Sequence, residues 1–351
     1  MAENWNIRII TDWDEIYSSE FQSQWLLWVE NAVNSHIFFH PVMVAAWIKA
    51  YSKIWEMKPL FVLAENEETT IFYPLVQLTQ GYRSFFRKII APVGYSSFDY
   101  SDPLVLGHSE KLHSDFFEIL IKELRAFNFD LLKLKGLHTI LPADLLKCTC
   151  KEMCYFNNLL SLKENVNSLL FQMSPKNRSE HLRVERRIKE LGEITFKVVR
   201  YDSINLKFEL QEFIKNYKKR WPGAYFAPDF HESLVRNGIK ENMVWFSLLK
   251  LDHKSIGWAI DLIWKNRCYA YMHAYDREFV SYAPGRTHLM QRIKQAHASG
   301  LEFFDLLSGS ETYKSEWFNE FVYIYNYETY SEGIYSRLKN QLNDLKGKIK
   351  R

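Results

Sequence analysis

The sequence predicts an α/β fold built from two copies of one unit, and three observations carry this reading. Strand-length apolar runs come in groups separated by short polar turns. Each group is followed by one amphipathic helix, and a further apolar strand then closes it. That order occurs twice along 351 residues, a length that supports about two domains. The halves share the order of their elements rather than their letters, so the repeat is one of architecture.

In the first half, Trp13, Ile16, Tyr17, Phe21, Trp25, Leu26 and Trp28 recur at three-to-four spacing, which predicts a helical entry over 11–35. His40-Pro41 breaks it, and a helix with Pro41 at its first position runs on through Trp47, Ile48 and Tyr51. Apolar runs at 59–64 and 70–76, joined by the polar turn 65–68, read as a hairpin. Extended segments follow at 89–91 and 103–106. A helix over 110–127 carries Leu112, Phe116, Leu120, Leu124 and Phe127 on one face, and a strand at 131–134 closes the unit. Between the halves, Ser174-Pro175 starts a helix that stops near Gly192. Another spans 205–220 and stops at Trp221-Pro222-Gly223. The second half has strands at 243–249, 256–263 and 268–275, with turns at 252–254 and 265–267. A helix over 284–298 ends at Gly300, and a strand at 303–307 follows.

Composition narrows the class. The chain is 47% hydrophobic and 25% charged, with 13 Gly and 10 Pro, which excludes disordered and collagen-like chains. A net charge of +3 does not call for a nucleic-acid partner. The load of 25 Phe, 20 Tyr and 11 Trp reads either as an aromatic core or as cleft walls for a flat or sugar-like ligand. The N-terminal residues do not form a secretory leader and no 18-residue apolar window occurs, so a cytoplasmic protein with free thiols is expected. Cys148, Cys150 and Cys154, with His138 as a fourth candidate, match no common zinc spacing, and no metal site is expected. Tyr335, Leu338, Leu342, Leu345 and Ile349 fall at helical spacing among basic residues. A basic amphipathic helix over 331–351 is therefore expected, either docked on its own domain or lying on an anionic membrane.

The chemistry concentrates late in the chain. The loop 276–286 opens directly into a helix, so unpaired N–H groups and the positive helix end are available to a phosphate. Gly285 permits close approach there and Arg286 adds a charged donor. Asp305 sits on a strand that reads as buried and needs a cation or hydrogen-bond donors, an ion pair with Lys314 or Arg286 being one reading. Residues 176–189 carry six basic and two acidic side chains, either a solvated face or an edge that meets phosphate. No histidine falls in an HExxH or triad pattern.

These residues resemble a known family. Tyr282-Ala283-Pro284-Gly285-Arg286, Gly300, Phe304-Asp305-Leu306, Gly309 and Tyr313-Lys314-Ser315-Glu316-Trp317 are similar to the signature of CelD/BcsL-type acetyltransferases. That group lies in the GNAT superfamily and is similar to the Fem-type peptidoglycan-bridge aminoacyltransferases. His40-Pro41 with Trp47, the segment Phe98 to Leu104, and Lys176-Asn177-Arg178 with Arg186-Arg187 extend the resemblance over about residues 20–330. It implies two tandem GNAT-like domains, mixed twisted sheets flanked by helices, at 1–160 and 161–330, with the acyl-CoA site in the second.

The implied activity is transfer of an acetyl or longer acyl group from acyl-CoA to an amine or hydroxyl of a sugar-like acceptor in polysaccharide or envelope-precursor synthesis. Acyl-CoA is then a co-substrate rather than a permanently bound cofactor. Pro284, Gly285, Arg286 and Arg186 hold its pyrophosphate. Asp305 or Asp102 orients or deprotonates the acceptor, Tyr313 and Lys314 stabilise charge or reprotonate the leaving thiolate, and His40, Asp99 and His273 bind the acceptor. On this reading Lys314→Met leaves the thermal midpoint in place and lowers turnover about a hundredfold. One departure stands out: the usual pyrophosphate loop is glycine-rich, whereas Gly285 stands alone here. An aminoacyl-tRNA donor, as in Fem-type enzymes, is the alternative, although residues 176–189 are much shorter than the helical hairpin that contacts tRNA in those proteins. A non-catalytic GNAT-like binding module is the third reading.

Overall fold

The computed structural model describes residues 5–80, 87–107, 114–159, 168–203, 205–223, 227–309, 311–318 and 320–331. Local sequence sets the first elements. β1 (Asn6–Ile10) leads into α1 (Trp13–Tyr17), α2 (Ser19–Asn31) and α3 (Pro41–Tyr51). The side chains of Asp12, Ser18 and His40 accept the first free N–H groups of the three helices, and Pro41 occupies the first turn of α3. The helical entry expected over 11–35 is two helices, because Ser18 has extended backbone that ends α1 while its hydroxyl caps α2. Then come β2 (Glu56–Glu65), β3 (Thr69–Gln80), β4 (Arg87–Pro92), β5 (Leu104–Gly107), α4 (Ser114–Leu124) and β6 (Leu131–Leu137). The chain continues through β7 (Lys147–Asn158), α5 (Ser168–Gln172), α6 (Pro175–Lys189), β8 (Ile194–Val199), α7 (Leu206–Arg220) and α8 (Pro228–Lys240). It ends with β9 (Val244–Leu251), β10 (Lys254–Trp264), β11 (Arg267–Tyr275), α9 (Pro284–Ala298), β12 (Phe303–Ser308), α10 (Thr312–Trp317) and β13 (Glu320–Tyr330).

Packing divides the chain into two units, Met1–Lys151 with the chain from Ile324 onward, and Glu152–Tyr323. The sheet of the first runs β1-β2-β3-β4-β6-β13, with β5 against the first part of β3. Its pairs are antiparallel except β4 with β6, which are parallel and joined through α4. The sheet of the second runs β8-β9-β10-β11-β12-β7. Its pairs are antiparallel except β11 with β12, parallel and joined through α9. Both units are therefore mixed, open sheets flanked by helices, with one order of strands and crossover. The sixth strand of each comes from elsewhere in the chain, β13 in the first unit and β7 in the second.

In the first unit the aromatic load is largely core. Trp25 meets Phe61 and Phe72 edge-on at 5.4 Å each, Trp28 lies 4.8 Å from Phe72, and the indole N–H of Trp25 donates to the Phe39 carbonyl at 2.9 Å. In the second unit α9 lays Leu289, Met290, Ile293 and Ala296 on Cys268, Phe304 and Leu306. Each such buried aliphatic side chain contributes about 1.5–3 kcal/mol. A Cβ at Gly257 on β10 would stand 3.2 Å from the His288 ring, so the glycine lets α9 seat this close.

The cysteine cluster lies on β7, with Cys148 and Cys150 exposed and Cys154 buried, and none of the three is in a disulfide among the described residues. Among the described residues no group of three or more His, Cys, Asp and Glu is arranged to hold a metal ion, and none of the helices is long and apolar enough to cross a membrane. The tail helix expected over 331–351 lies, beyond Ser331, outside the described residues.

Candidate functional site: a cavity where β11 and β12 part

The second unit's sheet opens at one point. The parallel pairing of β11 with β12 covers only Arg267 with Phe303, Cys268 with Phe304 and Tyr269 with Asp305. Past these pairs β11 continues through Ala270 to Tyr275, whereas β12 turns at Leu307, whose φ of +58 is left-handed. A cavity of about 220 Å³ follows. Ala270, His273 and Tyr275 of β11, Leu306 of β12, Gly285 and Arg286 in the first turn of α9, and Tyr313 and Trp317 of α10 contribute to its wall. The lead-in to α9 is a short 3-10 stretch, Arg277–Tyr282, begun by the Asp276 side chain on the Glu278 N–H. Ala283 at φ +45 then swings the chain into Pro284, the first residue of α9. The positive end of that helix therefore lies at the cavity. A Cβ at Gly285 would meet only the Tyr275 ring, at 3.6 Å, so the protein's own packing does not require the glycine.

Three arginines contribute to the wall: Arg220 at the end of α7, Arg286, and Arg292 on α9. Arg286 pairs with Glu316. Arg292 is clamped on both carboxylate oxygens of Asp261 in a fully buried pair. Among the described residues no carboxylate pairs with Arg220. Burial pushes the His273 imidazole down to about 3, and Arg292, Arg220 and Lys314 add to the shift. Burial pushes the Tyr313 phenol up to about 12. The two rings meet edge-on at 6.0 Å. At neutral pH both are uncharged, set among cations.

Of the residues expected at the site, Gly285, Arg286, His273 and Tyr313 come together on this one wall. Pro284 adjoins it at the first position of α9. Asp305 and Lys314 do not line it. Asp305, 1% exposed, accepts from Arg267 Nη1 at 3.0 Å and from the Leu307 N–H at 2.8 Å. Its cation is thus neither Lys314 nor Arg286. Tyr269 stands opposite Asp305 in the ladder, and Arg267, two residues back on the same face, reaches it diagonally. Lys314 is 3% exposed; its Nζ donates to the Leu307 carbonyl at 3.2 Å and to that of Ser308, and pairs with Glu311 at 3.3 Å.

Arg186 is exposed on α6, while its neighbour Arg187 reaches the Ser281 carbonyl at 3.4 Å and lies over the Tyr282 ring, bracing the lead-in to α9. His40, Asp99 and Asp102 belong to the first unit. His40 Nδ1 accepts the Val42 N–H at 3.3 Å as the cap of α3, and burial pushes its imidazole down to about 4. Asp102 accepts from the backbone and ring of His138 at 2.8 and 2.6 Å. Asp99 is half-buried.

Sequence reasoning passed over Arg220, Arg292 and Asp261. A signal existed for the last two: a lone carboxylate inside the apolar run 256–263, and an arginine beside the apolar face of the following helix. Each is costly alone, and together they form a pair. Arg220 carried no such signal, since a basic helix end is ordinary.

Residues 175–315 match the family model described as an acetyltransferase (GNAT) domain. By sequence, no curated protein matches the chain. Among solved structures, a crystal structure of FemX is similar at 12% identity and a TM-score of 0.59, covering 96% of this chain and 99% of that one. A conserved protein of unknown function from Bacteroides thetaiotaomicron is similar at 9% identity and a TM-score of 0.55, over 92% and 99% of the two chains. A tandem GNAT protein from the clavulanic acid biosynthesis pathway is similar at 8% and 0.51, over 93% and 98%. At these identities the likeness is one of fold.

Proposed function

We propose, on the premise of a GNAT-superfamily acyltransferase fold, that this chain moves an acyl group from an activated donor to an amine or hydroxyl. One observation carries the reading: the sheet parts between β11 and β12 and leaves a cavity bounded by the N-terminal turn of α9 and by the phenol of Tyr313. An activated ester or thioester asks three things of a protein: a grip on the carrier's phosphates, alignment of the nucleophile with the carbonyl carbon, and donors for the oxyanion. The turn at Gly285 and Arg286 supports the first; the apolar wall of Ala270, Leu289 and Leu306 suits an acyl or pantetheine arm.

The nucleophile's nitrogen or oxygen bonds to the carbonyl carbon and the bond to the carrier breaks. The nucleophile loses one proton and the leaving thiolate or alkoxide gains one. Burial raises the Tyr313 phenol to about 12, so it is protonated at neutral pH and can donate a hydrogen bond to the oxyanion or leaving atom. His273, held to about 3, stays neutral and orients the acceptor without acting as a strong base.

Acyl-CoA is the first donor to test, with sugar-like envelope or polysaccharide precursors as acceptors and two tandem GNAT-like domains as the architecture. Aminoacyl transfer from charged tRNA to a cell-wall precursor is the second reading. It is favoured by the FemX likeness along 96% of this chain and by the basic face of α6. Calorimetric titration with acetyl-CoA, longer acyl-CoAs and charged tRNA separates them. Acyl-CoA binding in the micromolar range supports the first. Steeply salt-dependent RNA binding without acyl-CoA binding moves the donor to tRNA. Binding of neither leaves a non-catalytic module and ends the acyl-transfer reading.

A further inference from the structure

A second cavity adjoins the first in the same unit. It measures about 480 Å³ and shares Arg220, His273, Tyr275 and Val280 with its neighbour, adding Asn216 and Tyr217 of α7 and Arg277. We infer that this second cavity receives the acceptor, and that the acceptor is a small molecule bearing a carboxylate or phosphate. The inference rests on the acyl-transfer reading above. A nucleophile seated here and an acyl carbon seated in the first cavity both border His273 and Tyr275, as transfer requires. The volume suits a metabolite of monosaccharide or amino-acid size.

Charge sets the class. Among the described residues that line this cavity, two are arginines and none is a carboxylate. The acidic side chains on either side of Arg277, Asp276 and Glu278, both bind Lys254, each at 2.9 Å, which cancels one of their two charges and turns both toward the lysine. Arg277 donates from Nη2 to the Lys219 carbonyl at 2.7 Å, which holds the guanidinium in place without neutralising it. Lys218 and Lys219 add further positive charge in the last turn of α7. Two forked donors with no acidic partner among the described residues match the paired oxygens of a carboxylate or phosphate. The same field disfavours an ammonium group, so an acceptor amine gives one proton to solvent and is held here neutral; after attack on the carbonyl carbon its second proton goes to the leaving thiolate or alkoxide.

The test titrates the full chain with three sugars of similar size: glucosamine, muramic acid and glucosamine 6-phosphate, with acetyl-CoA titrated in parallel. The expected result is that one anionic sugar binds at least about tenfold tighter than glucosamine, the preference shrinking as salt rises. Muramic acid winning identifies carboxylate recognition, and the phosphorylated sugar winning identifies phosphate. Arg277→Gln removes the preference and leaves acetyl-CoA affinity within about twofold. Arg277→Lys keeps the link to α7 and the charge but not the fork, and retains only part of the preference. Equal binding of glucosamine, binding of none of the three sugars, or a preference that survives Arg277→Gln overturns the proposal. So does displacement of acetyl-CoA by the anionic sugar, which would assign the cavity to the donor. Failure of acetyl-CoA alone to bind counts against the acyl-CoA donor and leaves the sugar comparison readable.

Discussion

Replacing Lys314 with Met tests whether this lysine is a catalytic cation or a structural one. Methionine keeps most of the aliphatic stem, so the change removes the ammonium and little packing. The ammonium donates to the carbonyls of Leu307 and Ser308, where β12 turns away from β11 through the left-handed Leu307. Gly309 stands next to it, where a Cβ would crowd Glu311 Oε2 and come 2.7 Å from Nζ. Charged hydrogen bonds are worth about 1.5–3 kcal/mol each and an orphaned buried carbonyl costs about 1–3 kcal/mol. These overlap rather than add. Glu311, a third exposed, regains water and adds little. A loss of about 3–4 kcal/mol is expected. The second unit spans about 170 residues, and at about 2–4 °C per kcal/mol the midpoint falls by about 10 °C. A melting curve beside an acyl-transfer assay on one preparation reads both quantities. The double variant Lys314→Met with Glu311→Gln melts close to the single variant, since Glu311 is a third exposed and loses little with its partner. A midpoint within about 1 °C of the parent, with turnover lost, would refute the structural role and return Lys314 to the chemistry.

Tyr313→Phe removes only the hydroxyl and lowers kcat by about a hundred- to a thousandfold with KM nearly unchanged, the scale of one lost oxyanion donor; an equal loss expressed wholly in KM counts against that role. Gly285→Val fills the wall in front of Tyr275 without meeting protein backbone. It weakens donor binding at least about tenfold at a nearly constant melting point, and unaltered donor affinity moves the donor elsewhere. His40 is held to about 4 when folded, against about 6.5 unfolded. The unfolded chain therefore takes up the proton first as pH falls. The stability this buried imidazole contributes is whole above pH 6.5 and is lost between there and about 4, about 2 kcal/mol by pH 5. His40→Asn keeps a cap acceptor for the Val42 N–H and removes that share of the acid loss, seen as a smaller drop in urea midpoint between pH 7 and pH 5. A slope identical to the parent's shows that His40 titrates normally.

The sequence by itself determined the local elements wherever one segment held both the pattern and its punctuation. Ser174-Pro175 and Pro284 start helices that run as expected to Lys189 and Ala298, and the polar turn at 65–68 joins β2 to β3. The repeat was legible because two antiparallel groups, each with one crossover helix, leave the same periodicity twice. Gly285 and Arg286 were legible because a loop opens there into a helix, and the resemblance marked them together with His273 and Tyr313. Strands β7 and β13 were missed. Polar and charged residues interrupt β7, whose pairing partner lies far away in the chain, whereas β13 carries a local signal in Phe321-Val322-Tyr323-Ile324-Tyr325 that the periodicity reading passed over. Tertiary structure alone decided which charge meets which. Asp305 takes Arg267 because parallel pairing sets them diagonal on one face, Arg292 takes Asp261 across a helix–sheet contact, and Lys314 turns inward to two carbonyls. A buried charge must find a partner, but its identity depends on which side chains the packed backbone brings within about 3 Å, and that distance is a property of the fold rather than of any run of letters.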